Sequence, residues 1–94
     1  MSIGILTLHI LIPGCMSLKE KRGRLKPLLA RLHRQFNVSA AELERLDSWQ
    51  EAILGVALLS NDRNHTQSVL AKIPAWIEKT WPDIDLLNEQ IELL

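Results

Sequence analysis

Between Pro13 and Lys26 the chain sets a Pro-Gly break, its one cysteine, a serine and a run of cations in close succession: Pro13-Gly14-Cys15-Met16-Ser17-Leu18-Lys19-Glu20-Lys21-Arg22. The chemistry this pattern suits is the holding of an anion. A helix that opens after Ser17 offers unpaired backbone N–H groups and the positive end of its dipole. Lys19, Lys21, Arg22 and Lys26 add formal charge, and Gly14 allows the chain to turn sharply. Ser17 with Glu20 three residues on reads as a capping box, in which each residue satisfies a backbone donor of the other. The candidate anion or RNA site is therefore Gly14, Ser17, Lys19, Lys21, Arg22 and Lys26.

No catalytic set accompanies this junction. Cys15 and Arg22 are separated by one residue too many for a phosphatase loop, so Cys15 reads as an inert turn residue. His9, His33 and His65 share no metal-ligand spacing, and no thiolate cluster is possible with a single cysteine. The sequence thus reads as non-enzymatic, with no cofactor and no metal. A sensor or enzyme taking a small phosphorylated or carboxylate ligand at the same entrance is the alternative, and a purely structural homodimer is another.

The 94 residues make one domain, residues 1–94, with 47% hydrophobic residues, enough for a single core. Net charge is zero but unevenly spread. Up to Phe36 seven cations face Glu20 alone, a balance of +6, and from Asn37 onward four cations face ten carboxylates, a balance of −6. Such polarity can steer an anionic partner to one side or cancel within the fold. The start of the chain lacks a positive n-region and there is no uncharged apolar run of membrane-spanning length, so the protein reads as cytoplasmic with no membrane partner.

The elements that must position the junction follow from periodicity. Ile3 to Ile12 alternates as a strand with Leu6, Leu8, Ile10 and Ile12 on one face and Ile3, Ile5, Thr7, His9 and Leu11 on the other. Leu18 to Phe36 carries a helical stripe of Leu18, Leu25, Leu28, Leu29, Leu32 and Phe36. Lys21 falls near that apolar arc, so it snorkels or stands free at the entrance. Pro27 predicts a kink, with Gly23 giving room for it. Asn37 to Leu46 predicts a second strand with a bulge near Ala40. Asp47-Ser48-Trp49 is a turn, and Gln50 to Leu59 a third strand, apolar on both faces. Asp62 caps a helix from about Arg63 to Lys79, with Pro74 inside it and His65 as a second capping candidate. Leu86 to Leu93 closes the chain as a short, acidic edge strand.

The order βαββαβ is the ferredoxin-like α+β plan: a four-stranded antiparallel sheet with two helices on one face. Strands one and three lie at its centre. On the open face they offer no aromatic residue, which removes base stacking of the kind RNA-binding sheets of this plan use; contact with phosphates through the first helix remains. Ile3, Ile5 and Leu11 leave an apolar patch there, and Trp49 lies beside it. Such a patch marks an interface, and the expected partner is a second copy, in a homodimer joined through Ile3, Ile5, Leu11 and Trp49.

Ile12-Pro13-Gly14, Ser17-Leu18-Lys19-Glu20-Lys21-Arg22, Phe36-Asn37-Val38-Ser39 with Ala41-Glu42, Trp49-Gln50, Leu54-Gly55-Val56-Ala57, Ser60-Asn61-Asp62 and Ile91-Glu92-Leu93-Leu94 together resemble the YlxP-like family of small bacterial proteins. The resemblance runs the length of the chain. It implies a ferredoxin-like fold and no established activity, the family being a domain of unknown function. Genes of the family often neighbour those for translation initiation and ribosome maturation. The resemblance thereby implies a role as an accessory binder of RNA or of a ribonucleoprotein.

Overall fold

The computed structural model describes residues 1–94. Its elements run β1 (Ser2–Leu11), α1 (Leu18–Phe36), β2 (Ser39–Glu44), β3 (Glu51–Ser60), α2 (Arg63–Thr80) and β4 (Asp85–Leu93). All strand pairs are antiparallel, in the order β2-β3-β1-β4. This is the ferredoxin-like α+β arrangement expected from the sequence, with the two most apolar strands at the centre and the acidic β4 at an edge.

Alternation in the central strands sorts their residues between two environments. Leu6, Leu8, Ile10 and Ile12 from β1 and its end, with Ala52, Leu54, Val56 and Leu58 from β3, are buried against Leu25, Leu28 and Leu32 of α1 and Leu70, Ile73 and Ile77 of α2. Both helices thus share one core on one sheet face. Two close approaches set the layer spacing. At Gly4 an added Cβ would lie 2.6 Å from Thr66 Cγ2 and 2.7 Å from Leu70 Cδ1, so α2 sits directly on the strand backbone. The helices meet through Phe36, edge-on to Trp76 at 5.3 Å, with Arg31 stacked over the same indole at 5.8 Å.

Two local expectations are corrected. The β2 irregularity lies between Glu42 and Glu44, not near Ala40. Alternation carries unbroken through Ala40 and Glu42 toward the helices, and the inward Glu42 disguises it. Both helices run through their prolines, Pro27 and Pro74, as their expected bounds require. Each proline removes one backbone donor, while buried leucines and isoleucines on both sides keep the helix docked. Finally, the capping box is half formed. Ser17 Oγ accepts from Glu20 N at 3.0 Å, but the Glu20 carboxylate turns toward Arg24, 3.8 Å away, instead of returning to Ser17. At α2, Asp62 caps alone, accepting from Asn64 N at 2.9 Å.

The two glycines at opposite ends of this packing should respond oppositely to an added methyl group. Gly4→Ala forces apart the tips of Thr66 and Leu70 and should lower stability by about 1–3 kcal/mol. Gly23→Ala, in the exposed middle of α1 with nothing within 4 Å of the new Cβ, should raise it by about 0.5–1 kcal/mol. Urea unfolding of both variants measures the difference.

Candidate anion-binding surface and the buried Lys21

The six candidate anion-binding residues do not form one site. Gly14 occupies the left-handed region at φ 74° in the turn between β1 and α1, which accounts for a glycine there. Cys15 is buried and donates its thiol hydrogen to the Ser17 carbonyl at 3.4 Å. Ser17 is used up by its capping bond. Arg24 reaches back over the entrance, where its guanidinium donates to the Pro13 carbonyl at 3.0 Å and the Asp83 carbonyl at 2.9 Å. The helix mouth is therefore closed by the protein's own groups: a serine oxygen, a carboxylate and an intramolecular guanidinium clamp.

Lys21 is the main correction. It is among the largest wholly buried side chains of the molecule, only 1% exposed. Its Nζ donates to the carbonyls of Arg45 and Ser48, both at 2.7 Å, and lies 2.6 Å from Glu42 Oε2. The contact with Glu42 is an ion pair off the hydrogen-bonding direction, since that oxygen lacks an aligned donor. The ammonium thus sits among three oxygens, and its charge is spent inside the fold. It points from the first turn of α1 under the β2–β3 hairpin and leaves the candidate anion site altogether.

What stays on the surface is a stripe. Lys19, Arg22 and Lys26 follow one another at helical spacings of three and four residues, on one side of α1. All three are exposed. None lies within ion-pairing distance of a carboxylate: the four ion pairs of the molecule are His9–Glu51, Lys21–Glu42, Arg24–Glu20 and Arg24–Asp83. The opposed charge halves of the sequence thus meet at Lys21 and Arg24 and nowhere else along α1. Arg34 continues the exposed cationic surface toward the helix end, where His33 Nδ1–H donates to the Val38 carbonyl at 2.7 Å.

The candidate interface residues fall together. Ile3, Ile5 and Leu11 line the open sheet face half-buried, beside Ile53 and Ala57 of β3. Leu59 and Leu43 are 66% and 52% exposed, and Leu43 lies across Gly55, where it fills the space a side chain would take. Trp49 is 50% exposed at the end of this face and borders the same shallow depression as Leu11; it does not cover the core. At this end His9 Nε2 and Glu51 Oε1 lie 2.9 Å apart, and Asp85 of β4 stands opposite Leu11 on the same face. Sequence periodicity missed one participant in this geometry, Glu42, because an acidic residue pointing inward breaks an apolar alternation. Its signal was the lysine on the apolar arc of α1.

Removing the Lys21 ammonium leaves Glu42 and two carbonyls without their cation. Lys21→Ala should cost about 3–5 kcal/mol of stability, the range for breaking one partner of a buried pair. Arg22→Ala, one residue on, should cost less than about 0.5 kcal/mol. Chemical denaturation of the two variants side by side makes the comparison.

No helix of the molecule is long and apolar enough to cross a membrane. Compared with known proteins, residues 3–91 match the family described as "Protein of unknown function (DUF503)". The chain is 37% identical over 83 residues to the uncharacterized protein YlxP of Bacillus subtilis (strain 168), an alignment that spans 88% of this chain and 89% of that protein. The order of elements, the opening junction and the whole-chain match agree: the chain belongs to the DUF503 family of proteins of unknown function, the YlxP-like family that its motifs resemble.

Proposed function

We propose that this protein is a non-enzymatic accessory binder of RNA, alone or within a ribonucleoprotein, and that it serves translation or ribosome maturation. The observation that carries the reading is the unpaired cationic stripe Lys19–Arg22–Lys26 on the outer side of α1. A helix that presents three uncompensated cations along one side fits a repeating array of phosphates better than one compact anion. The closed mouth of α1 speaks against the small-ligand alternative, because Ser17, Glu20 and Arg24 already occupy the positions such a ligand would use. The open sheet face supplies no aromatic platform, so recognition runs through the RNA backbone and shape instead of base stacking. The link to translation is supported by the gene neighbourhoods that the family resemblance implies.

A second observation favours self-association through the open sheet face. Its apolar part is the strip over the two central strands, where Ile3, Ile5 and Leu11 of β1 lie beside Ile53 and Ala57 of β3, with Asp85 and Glu92 of β4 and Glu44 of β2 along its margins. Zero net charge means that two copies do not repel as wholes. The basic stripe lies on the helical layer, away from this face, so pairing would leave it accessible.

Fluorescence anisotropy with a labelled single-stranded RNA at increasing salt tests the first reading. Affinity should fall with salt at a log–log slope of about −2, as three phosphate contacts would give. Arg22→Ala with Lys26→Ala should cut that slope by about 1.4 while unfolding is unchanged. Affinity independent of both salt and these two side chains would remove the assignment.

A further inference from the structure

We infer that the corner where the end of α1 meets the start of β2 is a seat for one unpaired ribonucleotide, with His33 reading its ribose 2′-hydroxyl. The inference rests on the RNA reading above and is independent of any pairing of copies. Two hydrogen bonds lay α1 antiparallel along β2. At one end His33 Nδ1–H donates to the Val38 carbonyl at 2.7 Å, and at the other Lys21 Nζ donates to the Arg45 carbonyl at 2.7 Å. His33 follows Lys26 by seven residues, nearly two full turns, and so shares the helix side of Lys19, Arg22 and Lys26. That side is therefore the one beside β2. A strand whose phosphates track the three cations reaches the imidazole about 10 Å beyond the last of them.

At that point the surface is hollow. Two depressions of about 510 and 340 Å³ adjoin there, and His33, Ser39 and Ala57 line both. Ala41 and Leu43 wall the larger, and Asn37 borders the smaller. Volumes of this order, with mostly apolar walls and a few polar groups, are those of small-ligand sites. No carboxylate lines either depression; Glu44 stands at the far end of β2, opposite Ile53. The hydrogen bonding of His33 fixes what it can read. A carbonyl only accepts, so Nδ1 carries the hydrogen and Nε2 of the neutral ring is a bare acceptor. A ribose 2′-hydroxyl can donate to that nitrogen, and a deoxyribose has no such group. The Ser39 hydroxyl and the Asn37 amide, both exposed, can meet the edge of a base. The aliphatic walls then take its face, and no aromatic platform is needed.

Anisotropy titrations of the full chain with one labelled sequence in three forms test this: single-stranded RNA, the same strand as DNA, and the RNA annealed to its complement. Wild type should bind the RNA strand about tenfold more tightly than the DNA strand, as one hydrogen bond can give. His33→Asn, whose amide can still donate to the Val38 carbonyl, should abolish that preference and leave the affinity for DNA unchanged. Ala41→Leu, which fills the larger depression from an exposed position, should weaken single-stranded RNA about tenfold and leave the duplex unaffected. Neither variant should alter the salt slope of about −2 for the single strand. Should His33→Asn fail to fold, Ala41→Leu decides. Salt-dependent binding of single-stranded RNA that these substitutions leave as it was overturns the seat alone. A chain that binds none of the three nucleic acids overturns the seat and the RNA reading together.

Discussion

A single ammonium group joins the two halves of this fold. Lys21 leaves the first turn of α1, passes beneath the β2–β3 hairpin and meets Glu42 and two carbonyls there. The hydrophobic core would place α1 against the sheet without it, since Leu25, Leu28 and Leu32 already belong to the buried cluster shared with β1 and β3. What apolar packing lacks is direction, because leucines tolerate sliding where hydrogen bonds to fixed carbonyls do not. The lysine supplies a register between helix and hairpin. Arg24, one turn on, does the same on the other side by tying the Pro13 turn to the Asp83 loop.

This division of labour explains why the charge halves of the sequence only partly cancel. Each half contributes to cross-links at specific points, Lys21 with Glu42 and Arg24 with Asp83, and the remainder is left facing outward on separate surfaces. Acidic residues gather along β4, where Asp85, Glu89 and Glu92 are exposed. An edge strand decorated in this way resists pairing with a foreign strand. At the other edge β2 is short and irregular at Leu43, which serves the same end. The apolar strip of the open sheet face, over β1 and β3, thus lies between two protected margins.

Much of this was legible in the sequence. The two-faced apolarity of Ile3 to Ile12 and of Ala52 to Leu59 identified the central strands, and the acidity of Glu89 and Glu92 identified an edge. The stripe of Leu25, Leu28 and Leu32 located the buried side of α1. Failures cluster where a charged side chain turns inward. Lys21 reads as a surface cation because lysine is rarely buried without a partner, and its partner lies 21 positions later in a strand whose pattern it disrupts. Periodicity records local alternation and carries no information on a pair formed across the fold. The helical stripes on both sides of Pro27 and Pro74 were, by contrast, enough to carry each helix through its proline against local propensity.

Lys21 and Arg22 are neighbours in the chain and face opposite ways, one into the hairpin and one into solvent. Substitution at the outward positions Lys19, Arg22 and Lys26 can strengthen, weaken or redirect attraction to a polyanion while the scaffold is inherited intact. Substitution at Lys21 cannot. A single helical turn thus separates what natural variation is free to tune from what it must preserve, so members of this family could diverge in the strength of their electrostatic attraction without passing through an unstable ancestor.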